Sequence, residues 1–466
     1  MEQPILFYST NLKSPSLPFD QALIRGQAPD KGLYMPGIIP HIDPPTLGKM
    51  KAMEYYEIAD IIISAFLKGV IAENDLKLMV KDAYDFAIPL EHVVDKKYVM
   101  RLDQGPTASF KDFAGRMMGR LMNHYLKESK GELLILTATS GDTGSAIANA
   151  FYGFENIKVV VLFPKAEVTP RQRKQMTTLG KNITIIGLDA KFDDCQALVK
   201  QAFADRQLDH LNLSSANSIN IGRLIPQIVY YFYAYSRLTK NPGEEKVVFS
   251  VPSGNFGDMM GGVLAMKMGL PVEKFIIATN ENDEFPTFMK TGIYQKIEPS
   301  RNCISSAMNV GHPSNLARLV ALYGGVMDEK GFINKMPDLE KMNEELFAVS
   351  VSDSETKATI KTAWEKYRLL LEPHGAVGWK GLEDFLASFP ELNTPDQVCI
   401  SLETAHPAKF PEQIIEILGF DPDLPPSLLG LEEKPEQFDE LRNDYAAFRD
   451  YLLENFSKME GIKEKK

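Results

Sequence analysis

Apolar runs long enough to span a bilayer are missing from this chain. Its start, "MEQPILFYSTNLKSPSLPF", lacks the basic segment, apolar core and small-residue cleavage site of a secretory signal. A cytoplasmic protein is therefore expected. Cysteine is scarce: Cys195, Cys303 and Cys399 lie far apart without CxxC or Cys/His spacing, which argues against a metal site and for buried free thiols. A surplus of positive charge is also absent. The formal net charge of -11 speaks against a nucleic-acid or anionic-membrane surface, so any anionic ligand must be held by local groups. No solenoid-length repeat or low-complexity block interrupts the chain.

What remains is enough for large cores. The 466 residues are 44% hydrophobic and 24% charged, in the range of a globular protein of two or three domains. Up to about Asp95 the signals are mixed, with "PGIIPHIDPPTLGKM" read as a long turn before a helix at "YYEIADIIISAFLKG". From Lys97 the runs "KYVMRLD", "ELLILTAT", "IKVVVLFP", "NITIIGLDA", "KVVFSVP" and "KFIIATN" read as short buried strands. Helical patterns such as "FDDCQALVKQAFADRQ" and "GRLIPQIVYYFYAYSRL" follow most of them, which implies an α/β architecture with largely parallel sheets. The aromatics of "YYFYAY" suit helix packing better than base stacking. The closing "SKMEGIKEKK" reads as a solvated, frayed tail.

One pattern occurs twice. "ELLILTAT" runs into "SGDTG" and then a helical stretch, and "KVVFSVP" runs into "SGNFGD" and another. Glycines allow close approach of a ligand to the backbone, and amides at a helix start favour phosphate or carboxylate. Neither loop completes GxGxxG or GxxxxGK[ST], so nucleotide binding is the weaker reading.

"GPTASFKDFAGR" adds an unusual lysine. Read as a helix, Lys111 shares a stripe with Gly115, Met118 and Met122, while Asp112, Arg116, Arg120, Asn123 and Lys127 form a charged stripe elsewhere. An ammonium is unwelcome on a small, apolar stripe and near a helix N-terminus. Both features lower its pKa and favour the neutral amine. An amine nucleophile together with two anion cradles fits pyridoxal 5'-phosphate, whose aldehyde needs a Schiff-base lysine and whose phosphate needs a cradle. The second cradle is then free for a substrate carboxylate.

In chain order, "GPTASFKDFAGR", "TATSGDTGSAIANAFYG", "LSSANSINIGRLIPQ", "VPSGNFGDMMGG", "EPHGAVG" and "TAHPAKF" resemble the threonine synthase family, among the fold type II pyridoxal-phosphate enzymes related to tryptophan synthase β. "RGQAPDKGLYMP" resembles that family's opening segment. The resemblance implies two largely parallel-sheet subdomains and an N-terminal extension. It divides the chain into an N-terminal domain or extension at 1–95, a cofactor-binding domain at 96–130 and 240–410, a smaller substrate-binding subdomain at 131–239, and a C-terminal helical segment and tail at 411–466.

The resemblance also implies residue roles. Lys111 carries the cofactor; Ser253, Gly254, Asn255, Phe256, Gly257 and Asp258 cradle its phosphate, with Asp258 equally suited to cap the helix that follows. Thr404 meets the pyridine nitrogen, to which a hydroxyl can donate. Thr139, Ser140, Gly141, Asp142 and Thr143 face the substrate carboxylate, the Asp142 side chain capping the helix or bonding a neighbouring hydroxyl. Asn217 and Arg223 hold the substrate phosphate. No metal is implied. Gly375 departs from the threonine found in part of the family.

Other charged residues read as structural. Thr169 and Pro170 look like a cap and first helical residue, so Arg171, Arg173 and Lys174 decorate that helix, with Lys165 a weak phosphate candidate. His124, His210, His312, His374 and His406 suit hydrogen bonding. The implied reaction turns O-phospho-L-homoserine and water into L-threonine and phosphate. The rivals are a threonine/serine dehydratase-like or cysteine-synthase-like enzyme of the same fold, and, more remotely, a non-catalytic metabolite-binding homologue. Oligomeric state stays open.

Overall fold

The computed structural model describes residues 3–129, 131–139 and 141–459. Its principal strands are β1 (Leu90–Val94), β2 (Lys97–Arg101), β3 (Leu133–Ala138), β4 (Ile157–Pro164), β5 (Ile183–Leu188), β6 (Leu213–Ser214), β7 (Val247–Pro252), β8 (Val272–Thr279), β9 (Leu346–Ser350), β10 (Cys399–Glu403) and β11 (Asp439–Leu441). One sheet has the order β9-β8-β7-β10-β2-β1 and is parallel except for the β1–β2 pair. The other, β11-β5-β4-β3-β6, is parallel throughout. Every residue of β3 and β7 is buried, as expected of parallel strands covered on both faces.

The helices that matter for the site are α1 (Tyr55–Leu67), α2 (Lys111–Ser129), α3 (Asp142–Phe151), α4 (Pro170–Thr177), α5 (Phe192–Ala204), α6 (Val229–Leu238), α7 (Gly257–Lys267), α8 (Pro373–Ser388) and α9 (Tyr445–Phe456). Strand β3 leads through the first glycine loop into α3, and β7 leads through the second into α7. The two cradles thus stand at the carboxyl ends of strands in different sheets, where open α/β sheets bind ligands.

The N-terminal segment buttresses α2. Tyr55, on the first turn of α1, packs edge-on to Phe113 at 5.6 Å between ring centres, and the Tyr84 hydroxyl donates to the Phe113 carbonyl at 3.2 Å. The stretch "PGIIPHIDPPTLGKM" is not all turn. It holds a short helix, Pro44–Met50, whose Thr46 N–H is capped by Asp43 at 2.9 Å. The last two of its prolines, Pro44 and Pro45, occupy the first helical positions, where a missing N–H costs nothing.

"GRLIPQIVYYFYAYSRL" is helical in three pieces, Ile221–Leu224, a tighter turn at Ile225–Ile228, and α6. Pro226 has no N–H to continue the α-helical ladder. Tyr230, Tyr231, Phe232 and Tyr235 are fully buried, in accord with helix packing.

Two C-terminal features have weak sequence signals. β11, "DEL", adds to the open edge of β5, and α9 lays Phe448 and Leu452 on the same core as Cys195 and Leu198 of α5. The three cysteines are buried free thiols. The tail beyond Met459 lies outside the described residues. Among those described, no helix is long and apolar enough to cross a membrane, and no group of metal-ligating side chains is found.

Candidate active site

Helix α2 begins at Lys111, whose side chain is only 12% exposed. The Phe110 N–H donates to the Thr404 carbonyl at 2.9 Å, and Ser109 forms a bridge with Ala405. The backbone therefore joins Lys111 directly to the end of β10. Burial lowers the pKa of Lys111; Asp142 opposes the shift, and the charges of Lys409 and Arg223 reinforce it. An amine made easier to deprotonate is suited to forming a Schiff base.

The flanking stripe differs from its sequence reading. Asp112 is completely buried, accepting the Thr107 N–H at 2.8 Å and the Thr107 hydroxyl at 2.6 Å. It fastens the turn that leads into α2. Arg116 and Arg120 are the residues that reach outward, to Asp85 at 2.9 Å and Asp82 at 2.5 Å.

Asp142 faces Lys111 at 3.6 Å and pairs more closely with Lys409, at 2.7 Å. Gln172 donates to the same carboxylate at 2.9 Å. Burial alone would raise the pKa of Asp142, yet the two lysines outweigh it and hold the carboxyl far below its ordinary range. The expectation that this side chain caps the helix or bonds a hydroxyl is corrected: its carboxylate accepts from Gln172 and is an ion-pair partner for two lysines. Lys409 is fully buried and also donates to the Thr107 carbonyl at 2.9 Å. Sequence reading passed over it, because a lysine in "TAHPAKF" gives no sign of where its ammonium will be buried.

The rest of the first loop is a compact fastening. Thr139 takes the N–H groups of Gly141 at 2.9 Å and Gly144 at 2.7 Å on its hydroxyl. Gly141 has φ +128, a conformation that side chains rarely adopt. Thr143 lies half-buried in the first turn of α3, and Ser140 falls outside the described residues.

In the second loop the Ser253 hydroxyl turns back to the Val251 carbonyl at 2.9 Å. Asn255 is exposed and accepts from the Ser314 hydroxyl at 3.1 Å. Phe256 takes the left-handed conformation, φ +61, just before Gly257 opens α7, and its ring is held edge-on to Phe285 at 5.0 Å. A non-glycine residue held this way marks a constrained turn. Asp258 does not cap: its Oδ1 accepts from Tyr230 at 2.5 Å and Tyr231 at 2.7 Å, and burial pushes its carboxyl up to about 6.

Gly254 is crowded by protein. A side chain there would meet the Met308 Cα at 2.9 Å and the Ala307 carbonyl at 3.0 Å. Gly254→Val should displace that turn and weaken pyridoxal-phosphate retention by about tenfold or more, given the usual cost of overpacking. Absorbance after exhaustive dialysis measures the retention, and calorimetry checks the fold. A folded variant that keeps its cofactor as wild type does would remove this loop from the cradle.

Thr404 is 6% exposed, with its hydroxyl 3.5 Å from the Glu372 carboxylate. Glu372 caps α8, and His374 is fixed between Glu372, at 2.5 Å, and the Ala307 N–H, at 3.0 Å. Glu-Pro at a helix start was a readable cap signal; its closeness to Thr404 was not.

Asn217 accepts the Thr137 hydroxyl at 2.7 Å. Arg223 is 3% exposed, gives one N–H to the Ala216 carbonyl at 2.9 Å, and leaves its Nε unpartnered. Among the described residues it has no carboxylate partner. Burial pushes its pKa down to about 10. A cation kept out of water with no acid paired to it, only the more distant charge of Asp112 acting on it, and within electrostatic reach of Lys111, is a ready anion site. Behind it Arg318, also completely buried, ties the Ser218 and Ile219 carbonyls, at 3.2 and 2.6 Å, to the Asn315 side chain at 2.6 Å. Asn315 in turn donates to the Asn255 carbonyl at 2.9 Å, so one knot joins the Arg223 loop to the second cradle.

The basic run after β4 turns away from this pocket. Lys165 pairs with Asp189 and Glu440, both at 3.0 Å; Arg171 grips Asp421 at 2.6 Å, and Arg173 grips Glu436 at 2.8 Å. These residues hold the C-terminal segment against α4.

The residues present fit a cofactor with an aldehyde and a phosphate: a buried amine at Lys111, two helix starts with glycine loops, and a buried guanidinium lacking an anion. Comparison with known proteins agrees. Residues 89–403 match a family described as pyridoxal-phosphate dependent enzyme, residues 6–84 one described as threonine synthase N terminus, and residues 375–452 one described as threonine synthase, C-terminal. The threonine synthase of Haemophilus influenzae is 40% identical over 448 residues, covering 96% of this chain and 99% of that protein. The structure of PLP-bound threonine synthase from Brucella melitensis superposes with a TM-score of 0.89 at 35% identity, over 97% of this chain and 99% of the other. The yeast threonine synthase structure gives a TM-score of 0.89 at 31% identity, over 97% and 99%.

Proposed function

We propose, from the premise that this chain belongs to the threonine synthase family of pyridoxal-phosphate-dependent enzymes, that its substrate is O-phospho-L-homoserine, which it converts with water to L-threonine and inorganic phosphate. The observation that carries the choice of substrate is Arg223, a buried guanidinium that no described carboxylate pairs with and that lies within the electrostatic field of the cofactor lysine. A dehydratase or a cysteine-synthase-like enzyme has no phosphate on its substrate's γ-carbon to balance such a charge.

Lys111 would hold the cofactor, and Thr404 would meet the ring nitrogen. When bound, pyridoxal phosphate supplies an aldehyde that exchanges amines and a conjugated ring that withdraws electrons from the substrate carbons. Lys111, when not holding the cofactor, would be the base that takes the proton from Cα. Asp142, kept anionic by Lys409, stands 3.6 Å from that amine and stabilises the ammonium that results. Arg223 would grip the substrate phosphate and stabilise the charge that gathers on it when the Cγ–O bond breaks. In the net change Cγ exchanges its phosphate for a proton and Cβ a proton for water's hydroxyl, the remaining proton of water leaving with the phosphate. The amides at the start of α3 orient the substrate carboxylate, so that the breaking bonds stay aligned.

The test is direct. Purified, cofactor-loaded protein given O-phospho-L-homoserine should release phosphate and threonine in equal amounts. It should be far slower with threonine or serine, scored by ammonia release. Ammonia production from those amino acids without phosphate release would transfer the chain to the dehydratase reading.

A further inference from the structure

Position 375 is a glycine, and the fold shows what takes the room of a side chain there. A Cβ built on Gly375 would fall inside the carboxyl group of Glu403. Glu403 closes β10 immediately before Thr404 and is fully buried. Its Oε1 accepts the Glu372 N–H at 2.8 Å, whereas Oε2 has no partner among the described residues.

The neighbouring Glu372, equally buried, is supplied with donors. Its carboxylate accepts the N–H groups of His374 at 2.7 Å and Gly375 at 3.0 Å, His374 Nδ1 at 2.5 Å, and the Thr404 hydroxyl at 3.5 Å. Because His374 Nε2 accepts the Ala307 N–H, the imidazole proton belongs on Nδ1, facing Glu372. Arg101 is the cation facing Glu403, and it pairs with buried Asp103 at 3.3 Å, with His406 beside them. Counting the half-exposed Glu91, 3.6 Å from Arg101, four carboxyl groups share this one guanidinium, three of them (Asp103, Glu372 and Glu403) fully buried, which leaves an excess of negative charge. The donors converge on Glu372, while Glu403 has one amide and an orphaned oxygen, an environment that favours its neutral form. Burial raises the Glu403 pKa well above its ordinary value; Arg101 opposes, and Glu372 and Asp103 add to the rise.

We propose that Glu403 is a positioning residue, a neutral carboxylic acid seated in the side-chain space of position 375 that fixes the Glu372–His374 turn against Thr404 and the cofactor ring. Through the same turn His374 holds Ala307, and Ala307 and Met308 lie on Gly254, so one buried carboxyl braces both ends of the cofactor site. The idea rests on the reading of Thr404 as the residue that meets the ring nitrogen.

The experiment compares wild type, Gly375→Thr, Glu403→Ala, the Gly375→Thr/Glu403→Ala double variant and Glu403→Gln. Each is titrated with pyridoxal phosphate for affinity, and its visible absorption band is followed against pH. Gly375→Thr should weaken binding by at least about tenfold, as overpacking of a buried site does. The double variant should recover to about the level of Glu403→Ala alone. Glu403→Gln, an uncharged isostere, should restore the band and pH profile that Glu403→Ala alters. If Gly375→Thr does not fold, recovery of soluble, melting-competent protein in the double variant reads out the same coupling. Additive losses in the double variant, or a Glu403→Gln profile shifted as loss of an anion would shift it, overturn the proposal. Borohydride labelling of Lys111 in every variant shows whether the underlying site reading survives such a failure.

Discussion

Lys111→Ala is expected to lower turnover by about 10⁴-fold or more, since one group serves as both the cofactor's anchor and the base at the substrate carbons. The adduct fixed by borohydride to a Lys111 peptide should vanish with it. The fold should not suffer. Alanine is a better helix former than lysine at the start of α2, and the substitution removes a cation that burial disfavours. The pH dependence has a definite sign. Because burial lowers the Lys111 pKa, its neutral fraction grows as pH rises through a value below the ordinary 10.5. Capture of pyridoxal phosphate by wild-type apoprotein, followed by absorbance, should reach half its maximal rate below that value. Peptide mass mapping decides the assignment. An adduct on the fully buried Lys409 would show that the anchor was misidentified, although that side chain already donates to Asp142 and the Thr107 carbonyl.

Arg223→Ala should cost about 2–4 kcal/mol in kcat/KM for O-phospho-L-homoserine, or about 30- to 1000-fold, the range of a desolvated charge-assisted contact. The cofactor band should persist, because the second cradle and Lys111 are untouched. Lysine should rescue poorly, keeping the charge without the planar fork. Stability should move the other way. The guanidinium has a single neutral carbonyl partner at 2.9 Å and an orphaned Nε, so its removal relieves a desolvation cost and the thermal midpoint should hold or rise. Phosphate release by folded, cofactor-loaded Arg223→Ala at the wild-type rate would exclude the proposed phosphate pocket.

Much of the architecture could be read directly from the chain. Runs such as "LLILTA" and "VVFSVP" are strands because nothing in them can face water, and the glycine-rich segments after them must turn before a helix. Lys111 stood out because neither its stripe nor its place at a helix start suits an ammonium, and the helix does begin there. Local pattern alone was less reliable where the deciding partner is remote. Asp112 shares a sequence stripe with arginines yet points inward to Thr107, and the short strand β11 exists because β5 offers an open edge.

The sequence by itself determined the alternation of strands and helices, the two glycine loops and the lysine between its phenylalanines, since these depend on periodicity and on residues near one another in the chain. Tertiary structure alone decided which charges meet. Asp142 lies between Lys111 and Lys409, residues separated from it by 31 and 267 positions in the chain. Arg223 is left with no acid paired to it among the described residues, and Glu403 fills the space that Gly375 vacates. The physical reason is that desolvation and Coulomb energy depend on burial and separation in space, and neither is set until both sheets have packed.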